Sequence, residues 1–366
     1  MPIISRGYLT GVGRTTYELV TALDKMKEEI PFDIVLYSQN TKNISSKNLG
    51  FSFESKHISL PYRESTNRIL SFFSIREYFA KADLWHCPHN SDWVGRLSKT
   101  IFTIHDLIIL NCKNEFPWKE VEKVKKELPP LLHQCKAIIT CSESSKNDLI
   151  RFFDIDPDKI HVTYWGVRHD LFKPLTDKED IKSYLWKKYN INKPYFFSVS
   201  CGYGRKNTLQ LLEAYLQLLK NNPDNDLVVI WNNYGEDVIQ LLEKSKDRIH
   251  ILNNVRDEDL VRLYSAATSL FFPSSYEGFG LPILESMACG IPVVTCDNSS
   301  LREVGGEVAI YTPSPDVSDL KKVMENFENG NYNVASLSNK GIERASTFTW
   351  KKCARETLDI YKKQMI

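Results

Sequence analysis

One stretch of the sequence, residues 271–297, limits the folds open to this chain more than any other. Residues 269–272 and 291–295 are short apolar runs, and each predicts a buried strand. Between them, Pro282 suits the first position of a helix and Gly290 suits its end. The order strand, glycine loop, helix, strand is typical of a parallel α/β sheet.

The loop between these two strands combines glycines with carboxylates. Gly278 and Gly280 lack Cβ atoms, so an anionic ligand can approach the backbone, and the following helix N-terminus supplies N–H groups. Glu277 lies in the loop and Glu285 in the helix, and carboxylates accept hydrogen bonds from hydroxyls. The alternative is a structural glycine turn, in which Glu285 only stabilises the helix by interacting with its dipole, a contribution of ~0.3–1 kcal/mol. That alternative explains neither Glu277 nor the second glycine. The loop therefore predicts a site for a diphosphate and for sugar or ribose hydroxyls.

Arg205 and Lys206 lie in a second glycine-containing turn, after a predicted strand at 195–200 and before a predicted helix at 208–220. A diphosphate carries two negative charges, whereas a helix N-terminus supplies only about half a positive charge. Cationic side chains must supply the remainder. Adjacent Arg and Lys residues are usually solvated surface charges, but their place between a strand end and a helix start favours phosphate binding.

Strands and helices alternate along the whole chain, which indicates an α/β fold with doubly wound parallel sheets. In the first half, apolar runs predict strands at 32–37, 57–60, 82–87, 100–105, 137–141 and 159–165. In the second half, after 195–200, they predict strands at 227–231, 249–252, 269–272, 293–295 and 308–311. A length of 366 residues suggests two domains of ordinary size.

The sequence Gly11-Val12-Gly13-Arg14 precedes an amphipathic helix and predicts a loop for a phosphate or an acceptor. Such a loop normally follows a buried strand. Only residues 1–4 are available here, and they include a proline. The first strand of the first sheet is therefore expected to be short or missing. Either a native start at this position or a truncation would explain the short N-terminus. A dinucleotide fingerprint is a poor fit because the third glycine is lacking.

His105, followed by Asp106, ends the predicted strand at 100–105. An isolated histidine in a strand is usually a satisfied core residue. Ligands of open α/β sheets bind beyond the carboxyl ends of the strands, so the position of His105 favours a place in a crevice. His86 and His89 lie at another strand end and are secondary candidates on the acceptor side.

No part of the sequence predicts a metal site or a cofactor site. Asp154-Ile155-Asp156 begins like a calcium loop, but Lys159 stands where glycine is needed and Trp165 where the bidentate Glu is needed. An acidic turn containing Pro157 is the better interpretation. The eight cysteines form no Cys-x-x-Cys pair.

Composition narrows the partners and the location. A net charge of +1 gives no reason to expect binding to nucleic acid. No apolar run reaches the ~18 residues that a transmembrane helix needs. The N-terminus lacks a signal-peptide pattern, which predicts a cytoplasmic protein. Residues 63–81 mix arginines with apolar side chains. An ordinary helix packed on the sheet and peripheral contact with the inner face of a membrane are both open there.

Glu277 and Glu285, set around Glu-Gly-Phe-Gly-Leu-Pro, resemble the signature of retaining glycosyltransferases of the GT-B fold, family 4 or group 1. The resemblance covers most of the chain and is specific mainly from 195 to 303. It implies two Rossmann-like domains facing a cleft. Residues 1–172 would bind the acceptor and residues 173–348 the nucleotide sugar. Residues 349–366 would form a helix that crosses back to the first domain.

The resemblance also implies roles for particular residues. Glu277 would hold sugar hydroxyls, Glu285 the ribose, and His105 the sugar or the acceptor. The backbone near Val255 would hold the base. The leaving diphosphate would be stabilised by Lys206, Arg205 and the backbone of Gly278, Phe279, Gly280 and Leu281. Family members often carry an arginine several residues before the lysine, and this chain has Ser200 and Cys201 there.

The function implied is a retaining, metal-independent transfer of a hexose, with mannose as one candidate. The donor would be a nucleoside diphosphate sugar, and the acceptor a saccharide or lipid-linked saccharide in polysaccharide assembly. Two alternatives stay open from the sequence. One is a GT-B sugar-nucleotide epimerase or hydrolase, which would turn over donor without acceptor. The other is a non-catalytic partner subunit that binds nucleotide sugars.

Overall fold

The structure is a computed structural model, and it describes residues 11–39, 50–58, 82–88 and 96–366. The chain forms two compact units. Unit 1 comprises Met1–Leu107, Pro117–Gly166 and Trp350–Ile366. Unit 2 comprises Ile108–Phe116 and Val167–Thr349. The chain thus passes from the first unit to the second at Gly166, earlier than the expected boundary at 172, and the segment 108–116 also belongs to unit 2.

The described strands and helices alternate in chain order. The strands are β1 Val35–Gln39, β2 Glu54–Ile58, β3 Trp85–Cys87, β4 Thr100–Thr103, β5 Ala137–Thr140, β6 Ile160–Val162, β7 Tyr195–Ser198, β8 Asp226–Ile230, β9 Ile249–Leu252, β10 Ser269–Phe272, β11 Val293–Cys296 and β12 Ile310–Thr312. The helices are α1 Gly11–Lys25, α2 Ile108–Asn111, α3 Trp118–Gln134, α4 Glu143–Phe153, α5 Lys178–Tyr189, α6 Thr208–Leu218, α7 Glu236–Glu243, α8 Asp257–Ala266, α9 Leu281–Ala288, α10 Ser299–Gly305, α11 Val317–Glu328, α12 Val334–Ser346 and α13 Trp350–Met365.

In unit 1, the described strands form two parallel sheets. Strands β1 and β2 pair with each other, and β3, β4, β5 and β6 form a second sheet in that order. The centre of the second sheet is fully buried at Ile101, Phe102 and Ile138. Helix α13 packs its Leu358 against the same apolar cluster as Leu23 of α1.

In unit 2, six parallel strands follow the order β12-β11-β10-β7-β8-β9. Phe196 and Phe271, on neighbouring strands, lie at the centre of the core with no exposed surface. The first strand of the unit, β7, pairs with β8 on one side and with β10 on the other. The direction in which the chain winds therefore reverses between β7 and β10. Open α/β sheets bind their ligands at such a point, beyond the carboxyl ends of the strands.

The predicted fold class, α/β with parallel sheets in two Rossmann-like domains, is confirmed. Strands β9 and β10 match their predicted bounds residue for residue. The predicted calcium-loop-like stretch is a turn, in which Asp154 ends α4 in a left-handed conformation and Asp156 caps a short 3₁₀ turn. No helix among the described residues is long and apolar enough to cross a membrane.

The predicted loop conformation at Gly11, Val12, Gly13 and Arg14 is wrong, because these residues form the first turn of α1, whereas their contact with an acceptor or a phosphate stays a prediction. The hydroxyl groups of Thr15 and Thr16 donate hydrogen bonds to the carbonyl oxygen of Val12, at 3.0 and 2.9 Å. A carbonyl tied into the helix in this way belongs to regular helical backbone. Residues 1–4, His89 and residues 63–81, on which other predictions rest, lie outside the described residues.

Candidate functional site

Two loops of unit 2 meet at the carboxyl ends of β7 and β10, where the chain direction reverses. The first loop, residues 199–207, joins β7 to α6, and the second, residues 273–280, joins β10 to α9. The two are tied directly, since the N–H group of Ser275 donates to the carbonyl oxygen of Arg205 at 2.7 Å. This pair of loops contains the predicted diphosphate residues and Glu277.

Lys206 and Glu277 form an ion pair across the two loops. Lys206 Nζ lies 2.5 Å from Glu277 Oε1, and the two side chains are only 16 and 13% exposed. Ser274 donates its hydroxyl to the same carboxylate oxygen at 2.6 Å. The Lys206 ammonium also lies 5.1 Å from the ring centroid of Phe272, within the range of a cation–π contact. Both charged groups are therefore held in place before any ligand binds.

Arg205 is held by a second carboxylate. Its backbone N–H donates to Glu115 Oε1 at 2.6 Å, and its Nη1 donates to Glu115 Oε2 at 3.1 Å. Its Nε is buried and has no hydrogen-bond acceptor among the described residues. The guanidinium thus has a buried donor, Nε, for which the described part of the protein supplies no partner.

The second loop is shaped by the start of α10. Ser299 Oγ accepts the N–H of Glu277 at 3.1 Å. Ser300 Oγ lies 2.9 Å from the carbonyl oxygen of Glu277 and 2.8 Å from that of Phe279. Gly280 has φ of +111°, and a Cβ there would lie 3.1 Å from the side chain of Leu301. A residue with a side chain is strained at that φ, so this position requires glycine. Helix α9 begins directly after it, with Pro282 in its first turn.

Glu285 lies inside α9 and is 7% exposed. The hydroxyl group of Tyr264 donates to its Oε2 at 3.0 Å. A buried carboxylate needs such donors to offset the loss of water. A ribose would have to share this carboxylate with Tyr264, so the predicted ribose role of Glu285 stays a prediction.

Val255, predicted to lie beside the base, is half-buried just after β9. The neighbouring residue Asn254 has a positive φ of 51°, and its N–H donates to Asn232 Oδ1 at 2.9 Å. The backbone at this strand end is therefore fixed by a side chain that follows β8. The contact of Val255 with a base stays a prediction.

His105 belongs to unit 1, whereas Lys206 and Glu277 belong to unit 2. It lies just past β4 and is half-buried. Its Nε2 is 2.9 Å from the carbonyl oxygen of Pro88, so Nε2 carries the proton in that hydrogen bond. Its own carbonyl oxygen accepts the hydroxyl of Ser145 at 3.1 Å, and its ring centroid lies 5.3 Å from that of Trp165. The histidine is therefore fixed in orientation at a strand end of its unit.

Known families match both halves of the chain. The family "Glycosyltransferase Family 4" matches residues 9–171, and "Glycosyl transferases group 1" matches residues 183–345. The O-antigen chain mannosyltransferase B of Escherichia coli is 30% identical over 97% of this chain and 96% of its own length. The chain belongs to the group 1, family 4 glycosyltransferases.

Other relatives of this glycosyltransferase agree with that assignment. The MMP alpha-(1->4)-mannosyltransferase of Mycolicibacterium hassiacum is 28% identical over 66% of this chain and 56% of its own length. Among solved structures, a glycosyltransferase from Rickettsia africae has a TM-score of 0.74 at 17% identity, covering 98% of this chain and 96% of its own. HepE of Anabaena, solved with UDP and glucose, has a TM-score of 0.74 at 15% identity and covers 98% of both chains. These structural similarities establish the GT-B fold.

Several residues of this glycosyltransferase's site were not predicted from its sequence. The first is Asn207, whose Nδ2 donates to the carbonyl oxygen of Pro273 at 2.8 Å and to Ser275 Oγ at 2.7 Å. The asparagine itself is a usable signal, since this residue type adopts the left-handed region more easily than most, and Asn207 has a φ of 50°. Glu115 lies 90 residues before Arg205 in the sequence, and no local pattern indicates their contact. The others are Ser274, Ser299, Ser300 and Tyr264.

Proposed function

We propose that this glycosyltransferase moves a hexose, with mannose as the first candidate, from a nucleoside diphosphate sugar to a saccharide or lipid-linked saccharide during polysaccharide assembly. The names of its relatives support the sugar and the setting. They include O-antigen chain mannosyltransferases of Escherichia coli and Salmonella typhimurium. A nucleotide-sugar donor is supported by the similarity in fold to HepE, which was solved with UDP-glucose.

The observation that carries the proposal is the contact between Lys206 and Glu277 at the point where the sheet reverses direction. A nucleotide sugar needs a cation for its diphosphate and a hydrogen-bond acceptor for its sugar hydroxyls. Both groups are present there, they are largely buried, and they are held by neighbours. Charges in a site with little water act more strongly on a reacting group than they do in bulk water.

In the proposed reaction, Lys206 and Arg205 stabilise the negative charge that develops on the leaving diphosphate. The N-terminus of α9 adds its partial positive charge. Phosphate oxygens compete with Glu277 for the Lys206 ammonium, and the freed carboxylate then accepts hydrogen bonds from the sugar hydroxyls. His105 orients the sugar or the acceptor. Retention of the anomeric configuration, with the departing phosphate taking the acceptor's proton, follows from the family resemblance.

The proposal includes neither a metal nor another cofactor, because the two cationic side chains supply the charge that a bound metal supplies in other transferases. Among the described residues, no cluster of three His, Cys, Asp or Glu side chains could hold a metal ion.

We also propose that the enzyme works in the cytoplasm, at the inner face of the membrane when its acceptor is lipid-linked. Cosedimentation with anionic vesicles tests the membrane contact, and a protein that stays in the supernatant would contradict that contact.

A thermal-shift panel tests the donor site. The ligands are UDP, GDP, ADP and dTDP, each with its sugar conjugates. One nucleotide should raise the unfolding midpoint of the wild-type protein, and the shift should be lost in Lys206→Ala. Lys182→Ala is the matched control, because Lys182 pairs with Glu179 on the exposed face of α5. No shift with any nucleotide would contradict the proposed donor site.

Transfer assays then test the reaction. Lys206→Ala should lose roughly 10²–10³ in rate, as is typical when a group that stabilises a developing oxyanion is removed. Near-wild-type turnover by this variant would contradict the phosphate role. Donor turnover that proceeds equally well without any saccharide acceptor would favour an epimerase or a hydrolase over a transferase.

A further inference from the structure

Glu115 is the acidic residue that contacts the diphosphate turn from outside its own part of the sequence. The segment Ile108–Phe116 leaves unit 1 after β4 and belongs to unit 2. Helix α2 and a 3₁₀ turn at Lys113–Glu115 make up most of this segment. Glu115 ends the 3₁₀ turn, and its side chain is 26% exposed.

The carboxylate of Glu115 fits closely against the turn at Gly204–Lys206. A Cβ built on Gly204 would lie 2.7 Å from the Glu115 carboxyl carbon, and Gly204 has a φ of +59°. Gly204 thus leaves room for the carboxylate to reach the backbone N–H of Arg205 at 2.6 Å. The same carboxylate accepts from Nη1 of the guanidinium at 3.1 Å. One residue therefore fixes both the backbone and the side chain of Arg205.

This contact determines which donors of Arg205 remain for a ligand. A guanidinium is planar and rigid, so binding one corner fixes the directions of the others. Nη1 is bound to Glu115, while Nε is buried without an acceptor among the described residues. A buried donor without a partner is unfavourable until an acceptor reaches it. Phosphate oxygens are strong acceptors for a guanidinium fork.

Glu115 can affect the affinity for the donor in two opposite ways, through electrostatic repulsion and through the ordering of Arg205. A carboxylate near the diphosphate repels it through space, which weakens donor binding. The same carboxylate orders a long arginine side chain that would otherwise lose its rotamer freedom when the donor binds. The repulsion is reduced because the positive charge of Arg205 pairs with the Glu115 carboxylate, whereas the ordering acts directly on the groups that bind the donor. We therefore expect the ordering of Arg205 to outweigh the repulsion.

We propose that Glu115 is a positioning residue for the donor diphosphate, which acts by holding the backbone and the guanidinium of Arg205. The inference rests on the proposed function, because it assumes that the ligand of Arg205 is the diphosphate of the donor. It assigns a role in donor binding to a residue that lies in the first half of the sequence.

Isothermal titration with the nucleoside diphosphate selected by the panel above tests the proposal. Glu115→Ala should weaken its binding on the order of tenfold, which is within the usual range of coupling between contacting residues. Glu115→Gln keeps an oxygen for the Arg205 N–H and loses the charge, so its affinity should lie between those of Glu115→Ala and the wild type. Glu120→Gln, at an exposed position in the first turn of α3, is the control and should bind like the wild type.

A double-mutant cycle separates positioning from a general structural role. In an Arg205→Ala background, Glu115→Ala should cause a smaller loss of affinity than in the wild type, because the guanidinium is gone and only the contact with the backbone N–H of residue 205 remains. In transfer assays, Glu115→Ala should raise the KM for the donor more than it lowers kcat. Equal losses in both backgrounds, or a loss of kcat alone, would overturn the positioning role.

The outcomes also separate this inference from the proposed function. Unchanged binding in Glu115→Ala, with loss of binding in Lys206→Ala, overturns the role of Glu115 and leaves the donor site standing. Tighter binding in Glu115→Ala overturns it too, because the carboxylate would then be competing with the diphosphate. Unchanged binding in both variants overturns the inference and the donor site together.

Discussion

The ion pair of Lys206 with Glu277 sets the charge of the donor site before a ligand arrives. Arg205 and Lys206 carry two positive charges, and Glu115 and Glu277 balance them. Burying an ion pair costs desolvation energy, which the attraction between the charges repays only when further hydrogen bonds are present. Ser274 supplies one such bond to Glu277. The site is therefore neutral and ordered, and a donor diphosphate has to displace the Glu277 carboxylate from Lys206.

The first prediction concerns Glu277 itself. Glu277→Gln keeps an oxygen for the Ser274 hydroxyl but removes the charge that balances Lys206. We expect kcat/KM for transfer to fall roughly 10²–10³-fold, the usual loss when a charged group in contact with the reacting substrate is removed. Circular dichroism should show an unchanged fold. Glu307→Gln is the control, because Glu307 forms an exposed ion pair with Arg302. Unfolding of Glu277→Gln would show that Glu277 is a structural residue.

At the scale of elements, the two loops of the site depend on one asparagine. Asn207 Nδ2 donates to Arg205, Pro273 and Ser275, and the residue itself directly precedes α6. The amide is buried, and its three acceptors lie on both loops. A side chain that satisfies groups of two loops at once fixes the spacing between them. The distance from Lys206 to Glu277 depends on this spacing.

We therefore expect Asn207→Ala to lower the free energy of unfolding by about 1–3 kcal/mol, the usual cost of leaving buried polar groups unsatisfied. The KM for the donor should rise as well, since the loops lose their common support. Asn222→Ala is the matched control, because Asn222 has nearly the same positive φ, 51°, but an exposed position. Equal effects of the two substitutions would attribute the loss to backbone strain and contradict the role of Asn207 in linking the loops.

A second link between elements is the histidine of β3. His86 Nε2 lies 2.7 Å from Thr103 Oγ1, and its Nδ1 hydrogen-bonds with the hydroxyl of Tyr361 on α13. Burial, and then the nearby His105, lower the pKa of His86 from 6.5 to about 4. The ring is therefore neutral at pH 7, and it connects α13 to the four-stranded sheet. This geometry is typical of a structural histidine, and the acceptor-side role considered from the sequence stays a prediction.

The lowered pKa predicts how stability depends on pH. A group whose pKa is lower in the folded state binds more protons when the chain unfolds. The stabilisation is therefore complete above pH 6.5 and is lost as the pH falls towards 4. For His86 this amounts to roughly 2 kcal/mol between pH 7 and pH 5. Urea unfolding at several pH values should show that His86→Gln reduces this loss, whereas His133→Gln, at an exposed position, leaves it unchanged. An unaltered pH dependence in His86→Gln would contradict this prediction.

For the whole molecule, the sequence predicts the order of strands and helices because each strand is a short apolar run bounded by glycine, proline or polar residues. Strand β9 is an example, since its bounds agree with the prediction at both ends. Gly11 and Gly13 misled the prediction for a local reason: glycine in a first helical turn has the same sequence pattern as glycine in a loop. The helix is recognised only from its backbone hydrogen bonds.

The candidate site was predicted in part. Lys206 and Glu277 could be found because each lies beside a glycine turn at the end of a buried strand. The contact between Glu115 and Arg205 could not be found in this way, because it depends on the path of the segment Ile108–Phe116 into the second unit. Such long-range contacts are set by tertiary packing, and a single sequence carries no periodic signal for them.

The last prediction follows from the charge balance of the whole enzyme. Transferases that use a metal place a divalent cation on the diphosphate, whereas here Lys206 and Arg205 are already present at the proposed position. We therefore expect EDTA to leave the transfer rate unchanged, and added Mg²⁺ or Mn²⁺ to give no stimulation. Raising the ionic strength should weaken donor binding, because it screens the attraction between these side chains and the diphosphate. Loss of activity in EDTA, with recovery on addition of Mn²⁺, would show that a metal carries the charge that we assign to Lys206 and Arg205.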